Sequence, residues 1–223
     1  ITAASKYIPI NRILKLIPRI KPVSGRLEKI GKLKNKSKVI LDYAHTPDAL
    51  KTCLQNIRYH YRFSKISIVF GCGGERDVPK RQIMGKIANH FCNKIYLTDD
   101  NPRNENPSKI RNQIKRKISK TKLLEIPSRS KAIQLAISNL DSGDVLVVAG
   151  KGHENYQEYV KKKFFSDKEC ILKNINIRNK NFSNDWKINL INENLKYFSP
   201  NRTKKINNVS INSREIKKND LFI

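Results

Sequence analysis

Four short clusters in this chain combine acids, amides, cations and glycines: Asp42-Tyr43-Ala44-His45, Gly71-Cys72-Gly73-Gly74-Glu75-Arg76-Asp77, Asp99-Asp100-Asn101-Pro102-Arg103 and Gly150-Lys151-Gly152-His153-Glu154. The third carries the most chemistry. Pro102 fixes an extended turn after Asn101, so Asp100 and Arg103 present opposite charges to one place. A guanidinium, from Arg103 or from Arg81 beyond the first glycine cluster, can grip a carboxylate bidentately, and Asp100 or Glu154 can hold an ammonium. Such a set suits a zwitterion. The same residues also fit an ordinary surface turn with a weak salt bridge, and the residues alone leave both readings open. The glycine clusters could cradle a phosphate with backbone N–H groups. However, neither has the spacing G-x-x-x-x-G-K-[ST] or that of a dinucleotide turn.

Other chemistries find less support. The 4 histidines and 4 cysteines never fall at metal-ligand spacing, so no metal site is expected. His60 and His90 fall on expected helices, whereas His45 and His153 fall at strand ends where a ligand can reach them. No nucleophile, base and orienting acid can be assembled from spacing, and no catalytic residue is assigned.

These clusters recur because of what precedes them. Val39 to Ala44, Ile66 to Gly71, Ile95 to Thr98, Leu123 to Ile126 and Val145 to Ala149 are short, β-branched and continuously apolar, as strands covered on both faces are. Amphipathic stretches separate them. Thr46 caps a helix with Pro47 in its first turn and Leu50, Leu54, Ile57 and Tyr61 at helical spacing. Further helices are predicted over Lys80 to Phe91, over Ser108 to Ile118 with Ser108 as cap, and over Ser130 to Leu140 with Ile133, Leu135, Ala136 and Leu140 facing the sheet. Alternating strands and helices predict an α/β fold with a doubly wound, mostly parallel sheet. In such sheets the functional crevice lies beyond the carboxyl ends of the strands, where all four clusters fall.

Composition bounds the rest. With 223 residues the chain can hold one full domain and part of another. Its net charge of +27 comes from 46 Lys and Arg against 19 Asp and Glu. That excess raises a basic nucleic-acid-binding module as an alternative, but the cations are dispersed and no stacking aromatics interleave with them. A stand-alone nucleotide-binding module is the second alternative, weakened by the lack of a dinucleotide fingerprint. Scattered cysteines fit a reduced cytoplasmic compartment, and no run approaches the ~18 apolar residues of a membrane span. Residues 1–20 read as the end of a preceding domain, 21–172 as the main domain, 173–208 as a linker with one marginal helix or strand, and 209–223 as a turn and the first strand of another domain. The C-terminal tail is thus expected to be disordered or marginally ordered, and both chain ends read as cuts.

Five ordered motifs resemble the diaminopimelate-adding branch of the Mur ligase family: Pro22 to Glu28, Leu41 to Leu50, Phe70 to Asp77 with Lys80-Arg81, Thr98 to Arg103, and Val148 to Glu154 with Tyr156. The resemblance covers about residues 1–170. It implies a Rossmann-like C-terminal ligase domain, with Arg81, Asp100, Asn101, Pro102, Arg103, Gly150 and Glu154 binding meso-diaminopimelate and Arg26, Asp42, Tyr43 and His45 approaching the nucleotide. It further implies that the parent enzyme, expected to be a monomer, uses ATP and Mg2+, held mainly by another domain, to join diaminopimelate to a UDP-muramoyl dipeptide through an acyl phosphate. The 223-residue chain alone is therefore expected to form no product. Glu75 replaces a commoner aspartate of the family, and Val78-Pro79 and Gln82 alter the loop beside Arg81. Finally, Val209 to Ile223, with Ser213-Arg214 and Asp220-Leu221-Phe222, resembles the start of a second Mur ligase, of the type that adds D-alanyl-D-alanine.

Overall fold

The computed structural model describes the backbone of residues 4–16, 19, 23–198, 208–210 and 220–222, and side chains of residues 5–16, 19 and 23–182. Five parallel strands form the centre: β2 (Lys38–Asp42), β3 (Ile66–Phe70), β4 (Lys94–Leu97), β5 (Leu123–Glu125) and β6 (Val145–Ala149). The short β1 (Glu28–Lys29) adds antiparallel to β2, giving the order β1-β2-β6-β3-β4-β5. The chain winds outward from β3 to β5 and then returns to insert β6 between β2 and β3. That reversal opens a crevice at the carboxyl ends.

Side chains alternate across the pleat, so each strand feeds two cores. Ile66, Ile68 and Phe70 of β3, with Val145 and Val147 of β6, pack under α2 (Pro47–His60), α3 (Pro79–Phe91) and α4 (Pro107–Lys115). Val69, Leu146 and Val148 point the other way, onto α5 (Arg129–Ser138) and α6 (Asp167–Phe198). The doubly wound reading therefore holds, with strand bounds within two residues of expectation. A hairpin, β7 (Tyr156–Glu158) and β8 (Lys162–Phe164), gave no comparable signal because its strands are short and mostly polar. Before the sheet, α1 (Ile10–Leu16) is a short helix with Ile13 buried.

Three local expectations need correction. Asn106, not Ser108, caps α4: its Oδ1 accepts from Ser108 N at 2.9 Å and Lys109 N at 3.3 Å, and Pro107 takes the first helical position, where no N–H is needed. Leu135 is 37% exposed rather than facing the sheet, because Ala132, Ile133, Ala136 and Ile137 already form the buried face of α5. The expected boundary at residue 172 falls inside α6. Ile175 is buried in the α5 face core, Arg178 donates to the carbonyls of Ile137 and Leu140, and Asn179 Nδ2 donates to Lys32 O at 2.8 Å. Asparagine and lysine richness concealed a helix that buries Ile171 and Ile175 while Leu172, Ile177 and Phe182 stay exposed. Residues 208–210 and 220–222 pair as parallel strands β9 and β10. Residues 199–207 of the expected linker, and the Ser213-Arg214 pair within the second resemblance, lie outside the described residues.

Candidate functional site

All four clusters meet at the carboxyl edge, around a cleft of about 410 Å³. Tyr43, His45 and Thr46 line it from the β2–α2 turn, Gly71, Cys72, Gly73, Arg76 and Lys80 from the β3–α3 loop and the start of α3, Asp100, Asn101 and Arg103 from the turn after β4, and Gly150, Glu154 and Tyr156 from the β6–β7 segment. A sheet edge gathers them because each follows a strand directly.

The glycines serve close backbone approach. A Cβ on Gly74 would lie 1.9 Å from Pro102 O, and Gly74 N donates to Asn101 O at 2.9 Å. The loop is thereby zipped to the Asp100–Arg103 turn, which accounts for its glycines without a phosphate. Gly150, at φ +115°, brings the backbone onto Asp100, whose Oδ2 a Cβ would meet at 3.0 Å.

The turn itself is over-determined. Arg103 holds φ +56°, a left-handed conformation costing a non-glycine residue roughly 1–2 kcal/mol. Its N–H donates to Glu158 O at 3.0 Å, its Nε pairs with Glu158 Oε2 at 3.2 Å, and its Nη1 donates to Gly74 O at 3.0 Å. From the same hairpin, Glu158 N donates to Asn101 Oδ1 at 2.9 Å, and Tyr159 OH donates to Asp99 Oδ2 at 3.1 Å. Burial beside Asp99 pushes the Tyr159 hydroxyl up to about 12. Behind the turn, Arg111 pairs with both Asp99 and Glu125. Strain concentrated in a turn held from three directions is typical of a ligand-gripping element.

Asp100 is 6% exposed. Burial raises its pKa, while Arg129 and Lys151 pull it back. Arg129 sits behind it, fully buried, in a two-pronged pair with Asp167 at 2.7 Å on both bonds. Glu154 accepts from Tyr43 OH at 3.3 Å, from Asn101 Nδ2 at 3.3 Å and from Lys151 Nζ at 3.3 Å. Burial first, and then the neighbouring Glu154, raise the Tyr43 hydroxyl. Cys72 is no nucleophile at neutral pH, since burial lifts its thiol to about 12.

The structure brings together Asp100, Asn101, Arg103, Gly150 and Glu154 as the sequence suggested, and sets Tyr43 and His45 on the same rim. Arg26 lies 5.5 Å from the centroid of the Tyr43 ring, against which the rings of His45 and His153 also pack. Pro102 shapes the turn without lining the cleft. Asp42 does not line it either: its Oδ2 accepts from Leu27 N at 2.8 Å and its Oδ1 from Ala44 N at 2.9 Å, so the carboxylate braces the chain on both sides of β2. Arg81 departs most from expectation. It is 0% exposed, with Nη1 and Nη2 donating to the two oxygens of Glu105 at 2.6 and 2.7 Å, to Gln113 Oε1 at 2.6 Å and to Gly73 O at 3.1 Å. A guanidinium so engaged anchors the glycine loop to Glu105 and Gln113. Arg76, in the loop itself, is the arginine that lines the cleft with Arg103. Sequence position alone does not separate them, since Lys80, the neighbour of Arg81 in the first turn of α3, lines the cleft while Arg81 is buried. Among the described residues no group of three or more His, Cys, Asp or Glu could hold a metal, and no helix is long and apolar enough to cross a membrane.

Comparison with known proteins narrows the family. The profile described as "Mur ligase, glutamate ligase domain" matches residues 25–152. The UDP-N-acetylmuramoyl-L-alanyl-D-glutamate--2,6-diaminopimelate ligase of Rickettsia felis is 44% identical over 172 residues, 76% of this chain and 32% of the relative. The protein of that name from Buchnera aphidicola subsp. Baizongia pistaciae is 45% identical over 180 residues, 78% of this chain and 35% of the relative. A solved structure of a ligase bearing the same name superposes with TM-score 0.65 at 34% identity, covering 79% of this chain and 36% of that one. UDP-N-acetylmuramate-alanine ligase from Thermotoga maritima, at 15% identity and TM-score 0.53 over 80% of this chain and 34% of its own, shares the fold. The chain thus spans about a third of the length of the curated relatives it matches. A profile match over more than half of the residues, and relatives this similar over three quarters of them, establish that the chain belongs to the Mur ligase family and carries its glutamate ligase domain.

Proposed function

We propose that this chain is the amino-acid-recognising part of a cytoplasmic, ATP-dependent ligase that joins meso-diaminopimelate to UDP-N-acetylmuramoyl-L-alanyl-D-glutamate through an acyl phosphate. The observation that carries the reading is the charge content of the cleft: the carboxylates of Asp100 and Glu154, gathered about Lys151, form an acidic wall, and the guanidiniums of Arg76 and Arg103 also line the cleft. Diaminopimelate has two zwitterionic ends. One ammonium is matched by the acidic wall, and a carboxylate is matched by Arg103 or Arg76, with the fork geometry that makes arginine selective for carboxylates. Lysine lacks the second carboxylate and would give that guanidinium no ligand group to grip. The similarity to relatives named for diaminopimelate supports the same choice.

For the nucleotide, the chain offers the half-buried Tyr43 with the exposed His45 and Arg26, an aromatic and cationic surface able to lie against a bound nucleotide but not to enclose its phosphates. ATP would supply the leaving group that activates the acceptor carboxylate, and the described residues provide no Mg2+ site of their own. This chain's residues would hold the incoming amine in line and keep the second zwitterionic end away from the reaction. The 223-residue chain by itself is accordingly proposed to form no tripeptide product.

Calorimetry with the 223-residue chain tests the reading. Diaminopimelate is expected to bind at least about tenfold more tightly than lysine, an energy difference of roughly 1.4 kcal/mol. Arg103→Ala should bring the two ligands to similar affinity. Equal affinities in the unsubstituted chain would sink the assignment.

A further inference from the structure

Lysine is almost never fully buried unless paired, yet Lys151 is 0% exposed. It follows β6 directly, behind the acidic wall, and is not one of the residues lining the cleft. Its Nζ donates to Asn101 Oδ1 at 2.8 Å and Glu154 Oε2 at 3.3 Å, and lies 3.6 Å from Asp100 Oδ1. The ammonium also sits 5.2 Å from the centroid of the Tyr156 ring. Asn101 Oδ1 accepts a second bond from Glu158 N at 2.9 Å. Two donors on that oxygen settle which way the amide faces, and Nδ2 is left to donate to Glu154 Oε2 at 3.3 Å. Three cleft side chains therefore converge on one ammonium that does not itself line the cleft.

The charges give this geometry a purpose. Asp100 is faced by Lys151 and Glu154 from the loop after β6, by Arg129 from α5, by Asp167 from the start of α6, and by the Cys72 thiol from the loop after β3. Arg129 is already matched by Asp167. Two carboxylates in a shielded wall disfavour each other's charge, and Lys151 is the remaining cation between them.

We propose that Lys151 is a positioning residue for amino-acid recognition. Its buried ammonium orients Asn101 and Glu154 and offsets one of the two carboxylates, leaving the wall one negative charge with which to take one ligand ammonium. The inference rests on the amino-acid-binding reading of the cleft and adds to it a residue that never touches the ligand.

The test compares the 223-residue chain with Lys151→Met and Lys151→Arg, measuring diaminopimelate binding across about pH 6 to 8 and the Asn101 side-chain amide signal by NMR. Lys151→Met is expected to weaken binding at least about tenfold near neutrality, with part of the loss recovered as pH rises, because Asp100 with one less cation ionises later. Its Asn101 amide signal should shift and broaden. Lys151→Arg should retain the unsubstituted pH profile and a sharp Asn101 signal. Unchanged affinity in Lys151→Met, or a loss by one factor at every pH, would overturn the proposal. Should Lys151→Met fail to fold, the charge-matched Asp100→Asn/Lys151→Met pair replaces it, expected to fold and to show no pH-dependent recovery; recovery in that pair also overturns the proposal. If the unsubstituted chain binds no diaminopimelate, the ligand reading fails separately, and the Asn101 signal in Lys151→Met and Lys151→Arg still decides whether Lys151 positions the amide.

Discussion

Arg81 and Arg103 are the same residue type, each donate to a carbonyl of one glycine loop, and carry the same sequence-level expectation of gripping a carboxylate. Their fates differ. Arg81, with 0% of its side chain exposed, has a protein carboxylate on both amino groups, whereas Arg103, with 22% exposed, pairs with Glu158 and still lines the cleft. The contrast extends inward to Arg129 and Asp167, both at 0% exposure. What distinguishes the two guanidiniums is how fully protein partners saturate each. Saturation also sets the energy at stake, because a buried charge that loses its partner keeps its desolvation penalty while an exposed one returns to water.

The comparison breaks first at its interior end. Asp167→Asn should destabilise the domain by about 3–5 kcal/mol in urea denaturation, since it leaves Arg129 charged and unpaired in the core. A cost below about 1 kcal/mol would place that pair with the surface bridges. Next in size, Arg81→Leu should cost about 2–3 kcal/mol by removing charge-assisted bonds to Glu105 and freeing the glycine loop. Arg103→Ala should cost under about 1 kcal/mol and act on ligand choice instead. If the two substitutions proved equally destabilising, the distinction drawn here would fail.

The smallest effect is a pH dependence. Hydrogen bonds from Arg81 hold the Glu105 carboxyl below its ordinary value of 4.5, against a weaker opposing push from burial. A carboxyl depressed in the folded state contributes stability above its unfolded value and loses that contribution as pH falls through the lower folded value. Stability of the unsubstituted chain should therefore fall more steeply below pH 4.5 than that of Glu105→Gln. Parallel curves from denaturant titrations at several acidic pH values would show that the Arg81–Glu105 pair contributes nothing that titrates.

Much of the fold was legible from pattern. The continuous apolarity of Ile66 to Phe70 and Val145 to Ala149 reported strands buried on both faces, and the Thr46-Pro47 start reported a capped helix. Less was legible where residues do two things at once. Asn106 and Ser108 are both capping types, and only geometry shows which oxygen reaches the free N–H groups. The hairpin that fixes Arg103 went unseen because Tyr156 to Phe164 has little apolar alternation and its contribution is a set of bonds to a distant turn.

Short-range information was enough to place acids, amides and cations at strand ends, and hence at one edge of a parallel sheet, because strand direction follows from βα alternation alone. It also carried the family resemblance through five ordered motifs. It could not decide which of those residues face the cleft. Arg81, Asp42 and Lys151 are turned inward by partners 24, 15 and 50 positions away in the chain, while Arg76 is left on the cleft wall. Charge complementarity and burial are properties of neighbours in space, and only the folded sheet brings those neighbours together.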